Sequence, residues 1–394
     1  MNAALKGIRV LDLSERLAGP FASTILCDFG AEVVKIAPLY RVEEEPLTEP
    51  LLGQDNYYFT INRNKKSILL NLKKPEGKDI FHRLVKKSDI VINNFRPGVV
   101  EKLGIDYSTL NSINQKIVCC SITGFGSSGP YASRPCYDGI IQALSGAMSV
   151  TGEPGGKPLV SGMPIADFSA PLFAAHAILA ALFDAQRTGQ GQNIEVSLLA
   201  STISLLQLHA ADYFTSGDIP GPAGSGENVI KGVVNYGAFK TKDGYIFLTA
   251  HRSFEKFCKA IGREDLIENP RFNSPAKRRK NREELNSIAI EILAKKETEE
   301  WCEILNKADV PHTPINSVDK ALLDPQVLHL GMRISQEKQG QKFEIIGSPI
   351  KMPGIKKKFE PAALPGESTD EVLTNILDLK KETIEELRAG GIIL

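Results

Sequence analysis

The sequence predicts an α/β protein built on a doubly wound parallel sheet, and three observations carry that reading. In the first third of the chain, short runs rich in Val, Ile and Leu alternate with stretches of helical period. A Gly/Pro/Ser-rich segment, SGDIPGPAGSGEN over 216–228, then breaks the apolar pattern as a linker or mobile loop would. Between them lies an uncharged apolar run, 168–183, bracketed by Asp167 and Asp184, which reads as a buried helix too short to span a bilayer.

In chain order, 8–14 (IRVLDLS) predicts the first strand, 20–29 a helix, and 32–36 and 67–72 two more strands. A helix follows over 75–87. Pro75 fits its first turn, and Ile80, Leu84 and Val85 share a face. Strands at 90–93 and 117–122 extend the βαβ pattern. Beyond the linker, 236–240 and 245–250 predict a hairpin turning at Asp243 and Gly244, followed by helices at 254–261, 282–295 and 299–307. The last 60 or so residues offer one isolated strand, 343–346, and two amphipathic helices. A lone strand needs a partner, so this segment is expected to return to the first domain.

The 394 residues are 42% hydrophobic and 24% charged, a globular composition that excludes fibrous and largely disordered chains. Lys plus Arg and Asp plus Glu both total 47, so no net positive field draws a nucleic acid, and none is expected as a partner. Neither is a membrane. The first residues, MNAALKGIRVLDLS, lack the apolar region of an export signal. Six cysteines show neither CxxC nor metal-ligand spacing, which fits a reducing, cytoplasmic setting and no metal.

The opening βαβ unit invites a dinucleotide reading, but G-x-G-x-x-G is absent and Ala37 stands where an acidic ribose ligand is wanted. NAD is not expected. GEPGGKP (152–158) lacks P-loop spacing and reads as a turn, and KRRKNR (277–282) reads as a solvated helix end. Asp167 has two readings. At the start of the apolar helix it could be an N-cap, or a carboxylate held ionised by the helix end and therefore a nucleophile.

Five ordered segments resemble the class III coenzyme A transferases, the family of formyl-CoA and carnitine-CoA transferases. They are 7–36, 62–72, 88–107 (SDIVINNFRPGVVEKLGIDY), 121–154 and 164–199 (PIADFSAPLFAAHAILAALFDAQRTGQGQNIEVSLL). The resemblance implies a Rossmann-like large domain whose sheet is built from both chain ends, a small central α+β domain and an interlocked homodimer. Domains are then expected at 1–200, 229–325 and 326–394, the last rejoining the first, with 201–228 as linker.

The resemblance makes Asp167 the nucleophile that moves CoA from an acyl-CoA to a free carboxylic acid through aspartyl anhydride and aspartyl-CoA thioester intermediates. It implies coenzyme A contacts at Arg16, Ala18, Leu70, Lys73, Asn94, Phe95 and Lys102, with Tyr137 and Asp138 in the substrate pocket and the 221–226 glycines as a loop over the nucleophile. Lys102 replaces the family's usual arginine and loses bidentate phosphate pairing, so weaker CoA binding is expected. Racemases of the same superfamily are the alternative. Their histidine falls at Tyr137 and their glutamate near Ser253. HAADYF (209–214) and VPHTPINSV (310–318) resemble the succinyl-CoA:glutarate branch, so a dicarboxylate is expected, with Arg134, His209, His251 and Arg252 as candidate cations for its second carboxylate.

Overall fold

The computed structural model describes residues 3–39, 51–54, 57–224, 235–352 and 359–394. The chain divides into two compact units. The first comprises Met1–Ser145, Gly162–Leu205 and Pro325–Leu394, and the second comprises Gly146–Ser161 and Leu206–Asp324.

In the first unit, β1 (Arg9–Asp12), β2 (Glu32–Ala37), β3 (Lys66–Leu69), β4 (Ile90–Asn93), β5 (Val118–Thr123) and β6 (Asn193–Ser197) form one parallel sheet. Its order is β3-β2-β1-β4-β5-β6. The chain builds outward from β1 on one side, then returns to add β4 on the other, which makes the β1/β4 junction a topological switch point. Alternate side chains feed opposite faces. Val10, Val33 and Ile92 meet Ala22 and Leu26 of the helix Ala18–Asp28 and Ala170, Ala174 and Ile178 of the helix Ile165–Thr188. Leu11, Val34 and Val91 meet Ile80, Phe81 and Leu84 of the helix Pro75–Val85, and Val372, Leu373 and Ile376 from the far end of the chain. Helices on both faces explain why these strands are almost uniformly apolar.

The expectation of a sheet made from both chain ends is corrected. All six of its strands lie within residues 9–197. The C-terminal segment supplies the helices Thr369–Leu377 and Lys381–Ala389 and one bridge, Leu70 to Ile393. The strand expected to be isolated is β11 (Gln341–Ile346), which pairs antiparallel with β10 (Arg333–Lys338). RISQEK is too polar to show a strand pattern, so its pairing escapes a reading by apolar period.

The helix Ile165–Thr188 runs for 24 residues, long and apolar enough by composition to cross a bilayer. An alanine-rich face packs it into the core of its unit. It is not buried all round, as the sequence suggested: Leu172, Phe173 and Phe183 are 48%, 43% and 63% exposed.

The second unit holds an antiparallel sheet, β7 (Tyr236–Lys240), β8 (Tyr245–Thr249) and β9 (His312–Pro314), in that order. Phe239, Ile246, Leu248, Phe257 and Trp301 form its core, and the Trp301 indole donates to the Leu293 carbonyl at 2.8 Å. Much of the stretch expected as linker is helical, in Leu198–Leu205 and Gln207–Ser216.

Candidate active site

The site is built where the sheet's strands end. After β1 the chain turns through Arg16, whose φ is +65°, into the helix starting at Ala18. Gly19 is required there, because a Cβ at this position would fall 2.1 Å from Ser14 Cβ. From the end of β4, Asn94 braces the turn. Its Oδ1 accepts from the Glu15 amide at 2.9 Å and its Nδ2 donates to the Glu15 carbonyl at 2.8 Å. Phe95 is half-buried beside it, and Lys102 is exposed on the short helix Val99–Leu103. Beyond β3, Leu70 is buried and Lys73 exposed. These residues follow the carboxyl ends of β1, β4 and β3, and the first two groups flank the switch point, where open α/β sheets bind ligands.

The helix Ile165–Thr188 leads from the end of β5 back to the start of β6, so its N-terminus lies at the same carboxyl edge. Asp167 is its third residue. It does not cap the helix. Asp138, from the helix Asp138–Ser145, does so through one oxygen, Oδ1, which accepts from the Ala166 amide at 2.8 Å and the Asp167 amide at 3.3 Å. The other oxygen accepts from Gln142 Nε2 at 2.6 Å.

The expected lowering of the Asp167 pKa is reversed for this reason. Its carboxylate makes no side-chain hydrogen bond among the described residues. Burial, with the Asp138 charge beside it, pushes it up from 3.8 to about 6. The first-turn amides that would have stabilised its charge are spent on Asp138. Phe168 packs edge-on against Phe21 with centroids 5.2 Å apart, tying this helix to the one that follows β1. A carboxylate of raised basicity, at a helix start and clear of competing donors, is equipped for nucleophilic attack on a carbonyl.

The model of CoA-transferase family III matches residues 5–370. The chain belongs to that family. It is 34% identical to human succinyl-CoA:glutarate CoA-transferase, over 99% of this chain and 90% of the relative. It is 35% identical to the succinate--glutarate CoA-transferase of Agrobacterium fabrum, over 97% and 96%. A CAIB/BAIF family protein from Brucella suis superposes with a TM-score of 0.86 at 32% identity, covering 95% of this chain and all of that one. The chain is thus a family III CoA-transferase, an enzyme that handles coenzyme A as carrier and an acyl-CoA as substrate.

The remaining residues singled out in this CoA-transferase fall into two groups. Tyr137, 75% exposed, and Arg134, whose guanidinium lies 3.6 Å from the Tyr131 ring centroid, belong with Asp138 to the first unit. His209, His251 and Arg252 belong to the second. So does the glycine segment, of which Gly221–Gly224 are described and residues 225–226 lie outside the described residues. There the Gly224 amide donates to the Gly152 carbonyl at 3.0 Å. Sequence reasoning missed the capping role of Asp138, which acts 28 residues along the chain, and the buried lysines beneath the β1 turn, which no periodic signal distinguishes from surface lysines.

Proposed function

We propose that this enzyme moves CoA from an acyl-CoA donor to a free dicarboxylic acid, with Asp167 as the covalent nucleophile. One Asp167 oxygen attacks the thioester carbonyl; the C–S bond breaks, leaving a mixed aspartyl anhydride and CoA thiolate. The thiolate attacks the aspartyl carbonyl, the donor leaves as a carboxylate, and an aspartyl-CoA thioester remains. An acceptor carboxylate attacks that thioester and expels the thiolate. The thiolate then takes the acceptor acyl group from the second anhydride and restores Asp167. Activation is conserved throughout, so water must be kept from both intermediates.

The observation that carries this reading is the Asp167 carboxylate itself: half-buried, uncommitted among the described residues and raised in basicity at the carboxyl edge of the sheet. We assign CoA to the switch point, with Arg16, Lys73 and Lys102 toward its phosphates, the Ala18 amide at a helix start, and Leu70 and Phe95 as apolar wall. Asn94 acts there as a brace, since its amide is engaged by Glu15. Tyr137 borders the acyl group. Similarity to two glutarate transferases supports a dicarboxylate. Arg134, which precedes Tyr137 by three residues, is the cation we assign to the second carboxylate. The exposed stripe of Leu172, Phe173 and Phe183 supports a homodimer that covers it.

The test is CoA exchange from succinyl-CoA to a panel of free acids, read by mass spectrometry with Asp167→Ala as control. Transfer to dicarboxylates that vanishes in the variant is expected. Epimerisation of a chiral 2-methylacyl-CoA without exchange would replace this reading with the racemase one.

A further inference from the structure

Two lysines lie buried beneath the turn that follows β1, and this inference rests on the reading of that turn as part of the CoA site. Lys35 is 7% exposed and Lys65 is 4% exposed. Lysine is rarely so buried, and an ammonium group taken out of water is costly unless it is paired and hydrogen-bonded. One carboxylate, Asp12, lies among them.

The bonds converge on the ends of one segment, 14–20. Lys35 Nζ donates to the Ser14 carbonyl at 2.7 Å. Lys65 Nζ donates to the Pro20 carbonyl at 2.8 Å, to Asn62 Oδ1 at 3.0 Å and to Asp12 Oδ2 at 3.1 Å. Asp12 in turn accepts from the Ser14 amide at 2.9 Å and from Ser23 Oγ at 2.5 Å. Between these anchored ends Asn94 grips Glu15 through its amide and carbonyl, and the backbone beyond it is unusual. Arg16 occupies the left-handed region, Leu17 at the cap position contributes no side-chain bond, and the first turn of the helix carries no acidic residue. Such a conformation persists only where its surroundings over-determine it.

Stability does not explain the arrangement. Well-packed apolar residues of similar volume serve stability as well as a buried ion pair does, or better. What ammonium groups add is directed bonds to two carbonyls and a surplus of positive charge under a helix N-terminus, both of which suit a phosphate-bearing ligand.

We propose that Lys35 and Lys65 are positioning residues for coenzyme A, holding the 14–20 turn in the shape that receives the nucleotide phosphates. Neither touches the reacting atoms. Burial pushes Lys65 down to about 8, against the pull of Asp12 from β1, with Lys35 from β2 adding to the fall. The Cys27 thiol of the adjoining helix is pushed up to about 12 by its own burial and stays neutral, and the Asp28–Arg63 pair beyond it is internally balanced. Lys65 therefore loses its charge as pH rises through about 8, and the turn loses an anchor.

The experiment measures acetyl-CoA binding by calorimetry and the KM values of both substrates in the exchange assay. Lys35→Met is expected to raise the acetyl-CoA dissociation constant and the acyl-CoA KM about ten-fold, with the acceptor KM unchanged and Lys35→Arg restoring part of the loss. A folded Lys35→Met protein with unaltered acyl-CoA KM would overturn the proposal. Arg16→Ala separates two causes of that result: if it raises the acyl-CoA KM, the turn binds CoA without help from the lysines; if it too changes nothing, the CoA assignment of the turn has failed and takes the proposal with it. Should Lys35→Met not fold, wild-type protein decides the matter. Its acetyl-CoA affinity must fall several-fold between about pH 7 and about pH 9.5, and this fall must flatten in Lys65→Arg. A flat wild-type profile would overturn the proposal equally.

Discussion

A single oxygen of Asp138 accepts the amides of Ala166 and Asp167, at 2.8 and 3.3 Å, so one carboxylate caps the helix on which the other stands. The cap takes the donors that would have quieted Asp167 and adds a negative charge beside it. Asp138→Asn keeps a capping oxygen and removes the charge. Activity that needs ionised Asp167 should decline in wild type as pH falls through about 6, and in Asp138→Asn the decline should move to lower pH. The acidic limb of a kcat/KM profile, recorded for both proteins, checks this.

The same raised pKa makes Asp167 a liability for folding. Its folded value, about 6, exceeds the ordinary 3.8, so the native state is penalised wherever the group is ionised in both states. Asp167→Asn should therefore unfold at a higher temperature than wild type near neutral pH. The advantage should shrink as pH drops through about 6 and be absent below about 3.8. Thermal midpoints across that range test the sign; an Asn variant less stable at neutral pH would contradict it.

Arg63 and Asp28 form a two-pronged pair, Nε to Oδ1 at 3.1 Å and Nη2 to Oδ2 at 2.6 Å, with both side chains buried. Removing the guanidinium strands a carboxylate in the interior. Arg63→Ala should cost about 3 to 5 kcal/mol in a denaturant titration. The double variant with Asp28→Ala should recover part of that loss.

Gly191 approaches the backbone of Ile117 so closely that a Cβ would lie 1.9 Å from its carbonyl oxygen. The Gly191 amide also donates to the Gln115 carbonyl at 2.7 Å, and its carbonyl accepts from the Tyr107 hydroxyl at 2.9 Å. Because the obstacle is backbone, no rotamer relieves it. Gly191→Ala should lose about 3 kcal/mol or more in the same titration, whereas Gly221→Ala, with open space around its Cβ, should be near neutral.

How much of this was legible depended on the range over which each signal acts. Runs such as IVIN at 90–93 are buried on both sides and announce a central strand by composition alone. The β1–helix–β2 opening was equally plain, and with it the carboxyl edge at which open α/β sheets bind ligands. Asp167 was visible as a residue at a helix start, but its chemistry depended on Asp138, a partner 29 residues away whose bond to the Asp167 amide leaves no periodic trace. Lys35 and Lys65 look like any surface lysines until Asp12 is seen between them. The polar strand β10 pairs through its backbone, and side-chain pattern carries little record of that.

The far end of the chain completes the core begun by the near end: Val372, Leu373 and Ile376 join the cluster that holds Leu11 and Val34, and Ile393 bridges to Leu70. During synthesis, then, the part of this face that the helix Pro75–Val85 leaves open waits from the end of β6 at Ser197 until the helix Thr369–Leu377 emerges, and Leu206–Asp324 of the second unit is translated in the interval. The first unit is finished late although it starts early, and a ribosome stalled near residue 360 would hold a partly bared apolar sheet face, a surface for chaperones to guard.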